Sequence, residues 1–256
     1  MQLDPIAAAA GVRLEALATA TSTNTEGRIR GERGERGPLW ITALTQTAGR
    51  GRMDRAWASP PGNLYASLLL SDPSPFDHAP ELAFVAALAL RDAIIAAAPA
   101  LAGELSFKWP NDVLLTGEKC AGILIEGELG PARNVIVVIG IGANCRSHPD
   151  GAAFPATDLA VHGAAMTPQQ LFQPLSAVMC RRLEQWRRGA GFAGILEDWL
   201  AAARGIGEAI AVRNGSGEKR GRFVGLDPSG RLILELVGGG IEKISAGDIF
   251  PLERRV

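Results

Sequence analysis

Short apolar runs alternate with polar, glycine-rich segments along most of the chain. The runs at residues 39–44 and 64–70 are rich in strand-forming residues and flank a long segment of Gly, Arg and Pro, so we predict two strands joined by a functional loop. An apolar stretch at 80–98 shows the periodicity of a helix packed on a sheet. Three further strands are predicted at residues 105–109, 121–129 and 135–142, the last two joined by a Gly130-Pro131 turn.

Capping signals mark where helices begin. The Thr-x-x-Glu spacing at residues 23–26 is typical of a capping box and predicts a helix that begins near Thr23. The glycine-rich run that follows, at 31–37, is interpreted as a solvated loop. Residues 167–170 combine an N-cap threonine, a first-turn proline and a capping-box glutamine, and another helical stretch is predicted at 192–203.

The texture of the chain changes at Gly205, where short strands separated by clusters of Asn, Asp, Ser and Gly begin. This pattern suits a small all-β barrel of SH3-like size. We therefore predict an α+β fold in two domains. Residues 1–204 form a mixed, largely antiparallel sheet with helices packed against it, and residues 205–256 form the small barrel.

Composition limits the classes of function. Hydrophobic residues make up 47% of the 256 positions, which is enough for a core, and 26 basic residues nearly cancel 27 acidic ones. The near-zero net charge gives no general attraction for nucleic acid or an anionic membrane. The three cysteines and three histidines form no metal-binding pattern, and no apolar run approaches the ~20 residues of a membrane span. A reducing cytoplasm is the expected location.

The segment from Gln46 to Trp57 is the main candidate for chemistry. It places Arg50 and Arg52 among glycines, where guanidinium groups and backbone amides can approach one anion. A flexible surface loop and an Arg-Gly patch for RNA are the alternatives. Neither a P-loop nor a complete dinucleotide-binding motif is present, so nucleotide binding requires another design. Trp57 either packs in the core or provides a flat face for an adenine ring.

Two further motifs end apolar strands. Lys-Trp-Pro-Asn-Asp at residues 108–112 is either a simple turn or part of a site, and Lys119 lies at the mouth of the next buried strand. Cys120 has no neighbouring histidine in sequence and is interpreted as a small buried residue. Gly-Ile-Gly-Ala-Asn at 140–144 indicates either a bulge or glycines that leave room for a ligand.

Taken together, these motifs resemble the biotin-protein ligase family in order and spacing. The resemblance spans about residues 21–144, and the C-terminal segment is similar to that family's SH3-like barrel. It rests on Ser22-Thr23-Asn24, the Gln46–Arg52 segment with Trp57, Lys-Trp-Pro-Asn-Asp followed by Lys119, and Gly-Ile-Gly-Ala-Asn. The resemblance implies a class II synthetase-like catalytic domain. It also implies formation of biotinyl-AMP from biotin and ATP with Mg²⁺, followed by transfer of biotin to a lysine of a carboxylase carrier domain.

The resemblance also assigns roles to individual residues. The catalytic residues would be Lys119, Arg52 and Asp112, with Mg²⁺ near Asp112 as one role of that carboxylate and orientation of the amine as the other. The biotin-binding residues would be Ser22, Thr23, Asn24, Gln46, Arg50, Gly51, Arg52, Lys119 and Gly140. The ATP-binding residues would be Arg50, Arg52, Arg55, Trp57, Asn111 and Asn144. The sequence departs from the family at Met53-Asp54, where a carboxylate lies beside an anion site.

Several alternatives stay open. A lipoate- or octanoate-protein ligase shares the chemistry, but its Arg-Arg and glycine-run signature is absent. The others are a nucleic-acid-binding module and a non-catalytic biotin-binding protein. About 20 residues precede Ser22, too few for a helix-turn-helix domain, so we expect a ligase without operator binding and without nucleic-acid or membrane partners. The sequence does not decide between a monomer and a homodimer paired through a sheet edge.

Overall fold

The computed structural model describes residues 1–130, 134–151, 154–215 and 217–252. Five α-helices are described: α1 (Pro5–Ala9), α2 (Thr23–Glu32), α3 (Leu82–Ala97), α4 (Pro168–Trp186) and α5 (Phe192–Leu200). Seven strands precede residue 150: β1 (Arg13–Ala20), β2 (Leu39–Gln46), β3 (Leu64–Ser71), β4 (Leu105–Lys108), β5 (Asp112–Leu115), β6 (Glu118–Leu129) and β7 (Val135–Ala143). Five more follow α5: β8 (Ala209–Asn214), β9 (Gly217–Leu226), β10 (Leu232–Leu236), β11 (Ile241–Ile244) and β12 (Asp248–Pro251).

The first seven strands form one sheet in the order β1-β2-β3-β7-β6-β5-β4. Strands β1 and β2 pair in parallel, and every other neighbouring pair in this order is antiparallel. The sheet is therefore mixed and largely antiparallel, which confirms the predicted fold class. Strands β6 and β7 are long and central, so motifs that are far apart in the sequence lie close together near the ends of these strands.

Helices cover both faces of this sheet. Side chains alternate between the faces along each strand, so Leu39 and Ile41 pack in a small cluster beneath α2, whereas Trp40 faces the main core. The main core is filled by α3, which contacts α4, α5, β6 and β7, and α4 also contacts β3. Helix α2 contacts β2, β3 and β7 on the opposite face, which is the face that carries the candidate site.

The last five strands form an antiparallel sheet in the order β11-β10-β9-β8-β12. The small all-β unit was predicted, but within the described residues β11 and β12 are edge strands and do not close a barrel. The unit is joined to the rest of the protein: Phe223 belongs to the main core, and the Trp109 indole N–H donates to the Gly230 carbonyl at 3.0 Å. The division at residues 204/205 stays a prediction.

Local features differ from the sequence predictions at several points. Ser22, not Thr23, is the N-cap of α2, and no side-chain capping bond forms there. The predicted capping box at Thr23 is therefore wrong, because the Thr23 hydroxyl takes part in contacts across the site instead. Helix α2 also continues through Gly31, which is buried against Ile136, so the start of the predicted 31–37 loop is helical.

Other predictions hold, and some elements were missed. The capping box of Thr167 and Gln170 at the start of α4 is confirmed. Strands β1 and β5 were not predicted. The Gly130-Pro131 turn extends beyond the described residues. None of the helices in the described ranges is both long and apolar enough to cross a membrane.

Candidate active site

A cavity of about 670 Å³ lies on the α2 face of the large sheet, bounded by the loop after β2 and by the edge of the C-terminal sheet. We call residues 47–57 the arginine loop. Every residue that the sequence predicted for the site lines this cavity. They are Ser22, Thr23, Asn24, Gln46, Arg50, Gly51, Arg52, Arg55, Trp57, Asn111, Asp112, Lys119, Gly140 and Asn144.

One end of the cavity is built from neutral hydrogen-bonding groups at the start of α2. The Thr23 backbone N–H and hydroxyl both donate to the Gln46 side-chain carbonyl, at 2.8 and 3.2 Å. The Gln46 amide donates in turn to the Ser59 hydroxyl at 2.9 Å. Ser22, Thr23 and Asn24 are at least 96% buried. We call this region the neutral end, and its polar groups are held in fixed orientations by each other.

Asn24 is a buried polar side chain of the neutral end with partners on both sides. Its carbonyl oxygen lies 2.6 Å from the fully buried Ser67 hydroxyl, and its amide donates to Glu126 at 2.7 Å. Gly140 lies directly beneath it, and a Cβ there would come within 2.1 Å of the Asn24 side-chain oxygen. The glycine that the sequence suggested for a ligand therefore makes room for Asn24.

The arginine loop is folded back on itself. Its backbone forms an isolated antiparallel bridge between Arg50 and Ala56, and the Ala48 N–H ties it to the Thr21 carbonyl at 2.8 Å. At its tip Met53 and Asp54 have φ angles of 53° and 54°, in the left-handed region that is unfavourable for non-glycine residues. Both side chains are exposed. Asp54, the departure noted in the sequence, therefore lies on the outer side of the loop.

The two arginines of the loop have different surroundings. The Arg50 guanidinium donates to the Thr25 hydroxyl at 2.6 Å and to both carboxylate oxygens of Glu126 at 2.8 and 3.0 Å. Arg52 meets only neutral acceptors at hydrogen-bond distance, the Asn111 side-chain oxygen at 3.2 Å and the Gly247 carbonyl at 3.3 Å. Burial lowers the pKa of Arg52 from its usual value, yet an arginine stays protonated at neutral pH.

The C-terminal sheet contributes to the same region through Asp248 at the start of β12. Its carboxylate pairs with Arg55 at 2.9 Å and lies 3.9 Å from the Arg52 guanidinium. Arg55 is half exposed, so this ion pair is screened by solvent. The loop tip is thus held against the C-terminal sheet by opposite charges.

Two lysines complete the opposite end of the cavity, which we call the cationic end. Lys119 forms an ion pair with Asp112 at 2.6 Å, and its ammonium lies 5.3 Å from the Trp57 ring centroid. The Lys108 ammonium lies 3.6 Å from the centre of the Phe154 ring. Burial lowers the pKa of Lys108 from its ordinary value. Strand pairing brings these groups together, because Asp112 lies opposite Lys108 in the β4-β5 pair and opposite Gly122 in the β5-β6 pair, where Lys119 also lies.

Trp57 covers the floor between the two ends. Gly122 and Gly142 are paired across β6 and β7, and a Cβ on Gly142 would come within 2.7 Å of the Trp57 indole. A Cβ on Gly122 would lie 3.2 Å from the same ring. The indole nitrogen is buried without a hydrogen-bond partner. These glycines therefore provide a flat surface on which the indole lies.

Two of the predicted site residues, Asn144 and Asn111, also form hydrogen bonds to backbone carbonyls. The Asn144 amide donates to the Thr157 carbonyl at 3.0 Å and fixes the strand end to the following loop. The Asn111 amide donates to the Ile123 carbonyl while its oxygen accepts from Arg52.

Cys120 is buried, as predicted, and burial raises the pKa of its thiol to about 12, so it stays protonated.

The cavity can bind a ligand with a polar ring at one end and anionic groups at the other. Five cationic side chains and two carboxylates line it, and a third carboxylate pairs with Arg50 beside it, so the region carries a net positive charge that suits phosphates. The cations are Arg50, Arg52, Arg55, Lys108 and Lys119, and the carboxylates are Asp112, Glu126 and Asp248. No group of three or more His, Cys, Asp or Glu side chains within the described ranges is arranged to hold a metal ion.

Sequence reasoning missed several residues of the site. Ser67 is a buried polar residue in a mostly apolar strand, and that was a signal that could have found it. Glu126 is one of four charged residues of β6 and did not stand out. Lys108 belongs to a motif that was noted but was given no role. Asp248 and Phe250 come from the C-terminal sheet, and no local pattern connects them to the cavity.

Comparison with known proteins places this geometry in a family. Residues 16–144 match the biotin/lipoate A/B protein ligase family, and residues 205–250 match the biotin protein ligase C-terminal domain. The biotin–[acetyl-CoA-carboxylase] ligase of Paracoccus denitrificans is 40% identical over 241 residues, covering 91% of this chain and 98% of that protein. The enzyme of the same name from Mycobacterium tuberculosis is 34% identical, covering 96% and 92%.

A solved structure agrees with the sequence matches. Biotin protein ligase from Aquifex aeolicus in complex with biotin and ATP has a TM-score of 0.76 and 26% identity to this chain, covering 93% of it and 97% of that protein. Both parts of the present chain, the large mixed sheet and the small antiparallel sheet, are included in that coverage. The chain belongs to the biotin/lipoate A/B protein ligase family.

Proposed function

We propose that the protein is an ATP-dependent biotin-protein ligase. It forms biotinyl-5′-AMP from biotin and ATP and then transfers biotin to a lysine of a biotin carboxyl carrier protein or domain. The observation that carries the proposal is the two-ended cavity, in which a rigid neutral end faces a cationic end across Trp57. The relatives named biotin–[acetyl-CoA-carboxylase] ligase and the neighbour solved with biotin and ATP support the choice of substrates.

In the first step a carboxylate oxygen of biotin bonds to the α-phosphorus of ATP, and the bond from that phosphorus to pyrophosphate breaks. Two anions must approach each other, so fixed cations provide most of the catalysis. Arg52 and Lys119 are assigned to the reacting centre, because both are partly buried and neither forms a bidentate ion pair. Ser22, Thr23, Asn24 and Gln46 are assigned to the biotin ring, where they offer donors and acceptors in fixed positions.

In the second step the carrier lysine amine bonds to the acyl carbon of the adenylate, AMP leaves with the bonding electrons, and the proton of the amine is released to solvent. Lys119 again stabilises the negative charge that develops on the acyl and phosphate oxygens. Asp112 holds Lys119 at 2.6 Å and is assigned to orienting this ammonium or the incoming amine. Trp57 presents its face to the adenine ring.

Mg²⁺ is expected to enter with ATP. The cation prefers a few carboxylates plus substrate phosphates to an all-protein cage, and Asp112 is a carboxylate near the cationic end that fits this use. The metal would neutralise phosphate charge when bound. The carrier protein and a cytoplasmic location also belong to this proposal.

The proposal is tested by biotin-dependent exchange of labelled pyrophosphate into ATP. Exchange with biotin and not with lipoate or octanoate is expected, because the first step is reversible while the adenylate stays bound. Lipoate-dependent exchange alone would identify the protein as a lipoate ligase. No exchange with any of the three acids would contradict the proposed function.

A further inference from the structure

The Arg50 guanidinium is already bound by neighbouring side chains. Both terminal nitrogens of its guanidinium are engaged: one donates to the Thr25 hydroxyl at 2.6 Å and the other to both Glu126 oxygens at 2.8 and 3.0 Å. The Arg50 and Glu126 side chains are only 25% and 30% exposed, so solvent screens this pair less than a surface ion pair. Arg52, by contrast, has only longer hydrogen bonds to neutral oxygens.

Glu126 simultaneously fixes the neutral end of the cavity. One of its oxygens accepts from the Asn24 amide at 2.7 Å, while the Asn24 carbonyl oxygen lies 2.6 Å from the Ser67 hydroxyl. An amide has distinguishable donor and acceptor ends, so an acceptor on one side and a donor on the other set its orientation. Glu126, together with the Leu124 carbonyl 3.4 Å from the same amide, thereby sets which end of Asn24 faces Ser67.

The register explains why one carboxylate reaches both partners. Glu126 lies opposite Val138 in the β6-β7 pair and therefore shares the α2 face with Gly122 and Leu124, which line the cavity. Arg50 reaches it from the arginine loop, and Asn24 reaches it from the first turn of α2. The two elements that border the neutral end thus meet at a single side chain.

We infer that Glu126 is a positioning residue for biotin, acting by anchoring the arginine loop through Arg50 and by orienting Asn24. The inference rests on the proposed function and revises the role of Arg50 from anion binding to loop anchoring. The substrate carboxylate and phosphates are then left to Arg52 and the two lysines of the cationic end.

The test compares Glu126→Gln with Glu128→Gln. The two glutamates lie on the same face of β6, but Glu128 lies near Arg28 and Glu32 instead of the cavity, so it is a matched control. Glu126→Gln removes the charge that holds Arg50 and is expected to raise the KM for biotin about tenfold. The KM for ATP, kcat and the thermal midpoint are expected to stay near wild type, and Glu128→Gln is expected to match wild type throughout.

A double-mutant cycle with Arg50→Gln separates anchoring from direct substrate binding. If both residues act through one bridge, the double variant raises the KM for biotin by about the same tenfold as either single variant. Multiplication of the two effects to about a hundredfold would show that Arg50 binds substrate independently and would overturn the inference. Trypsin cleavage within the loop should also accelerate in Glu126→Gln, which keeps every arginine of the loop.

Two further outcomes would overturn the inference about Glu126. If Glu126→Gln and Glu128→Gln have the same KM for biotin, Glu126 has no positioning role. If Glu126→Gln lowers the thermal midpoint and leaves the KM for biotin unchanged, Glu126 is purely structural. A wild-type protein without biotin-dependent exchange would instead refute the proposed function, and this inference would fall with it.

Discussion

The polar side chains at the two ends of the cavity are held in place in different ways. At the neutral end, Thr23, Gln46 and Ser59 form a continuous chain of hydrogen bonds. At the cationic end, Lys119 and Arg55 are closely paired with carboxylates, Arg52 lies 3.9 Å from the Asp248 carboxylate, and Lys108 forms no ion pair with the residues that the structure describes. The first end is prepared before a ligand arrives, whereas the second keeps cations available.

The difference has a physical reason. A neutral ring with fixed donors and acceptors is recognised best by groups that are already oriented, because orientation then costs no entropy on binding. Polyanionic phosphates need positive charge, and unpaired cations repel each other, so temporary carboxylate partners such as Asp112 keep them together. Substitutions at the two ends should therefore have different kinetic effects.

The largest effect is expected from Lys119→Ala at the cationic end. The change removes the ammonium at the reacting centre and leaves Asp112 unpaired beside the incoming phosphates, so adenylate formation should fall about 10²–10³-fold. Single-turnover formation of biotinyl-AMP measures it. Lys243→Ala, which removes a half-exposed lysine of the C-terminal sheet, is the control and should retain full activity. Loss of biotin affinity without loss of the chemical rate would place Lys119 at the neutral end instead.

A smaller effect is expected from Gly140→Ala at the neutral end. The new methyl group would lie 2.1 Å from the Asn24 side-chain oxygen, so Asn24 must move. We expect a KM for biotin raised about tenfold and a free energy of unfolding lowered by about 1–3 kcal/mol, measured by urea denaturation. Gly103→Ala, whose Cβ meets nothing within 4 Å, should change neither quantity. An unchanged KM for biotin in Gly140→Ala would argue against a rigid neutral end.

The smallest effect is expected from Lys108→Arg and concerns pH. Burial lowers the pKa of Lys108 by more than the neighbouring Asp112 carboxylate raises it. Its positive charge is therefore lost at a lower pH than for an ordinary lysine, and ATP binding should weaken as pH rises through that value. Arginine keeps its charge, so the alkaline limb of kcat/KM for ATP should move to higher pH in the variant. If the alkaline limbs of the wild type and the variant coincide, Lys108 does not contact the nucleotide.

Much of the fold was predictable because apolar runs and caps are local signals. The central strands β3, β6 and β7 are long and apolar, so their positions were found to within a few residues. Strand β1 was missed because its sequence is rich in Ala, Thr and charged residues and it is stabilised by pairing with β2. Strand β5 was missed because it has only four residues and begins at the turn after Asn111.

The site was predictable as a set of residues and less so as a set of contacts. All the predicted residues line one cavity, but the sequence did not indicate that Arg50 would bind Glu126 or that Asp248 would reach Arg55. Those partners lie 76 and 193 residues away, and their proximity depends on how the whole sheet is assembled. Residue type indicates which chemistry is available, while tertiary packing determines which groups are already engaged.

The position of Trp57 gives the protein a built-in optical probe. The other four tryptophans, Trp40, Trp109, Trp186 and Trp199, are only 1–2% exposed and lie in the core, where a ligand does not reach them. Trp57 alone of the five lines the cavity, with an ammonium 5.3 Å from its ring. When a ligand is titrated into the protein, the change in tryptophan fluorescence should therefore come from Trp57. Filling of the cavity can then be followed in real time without a label.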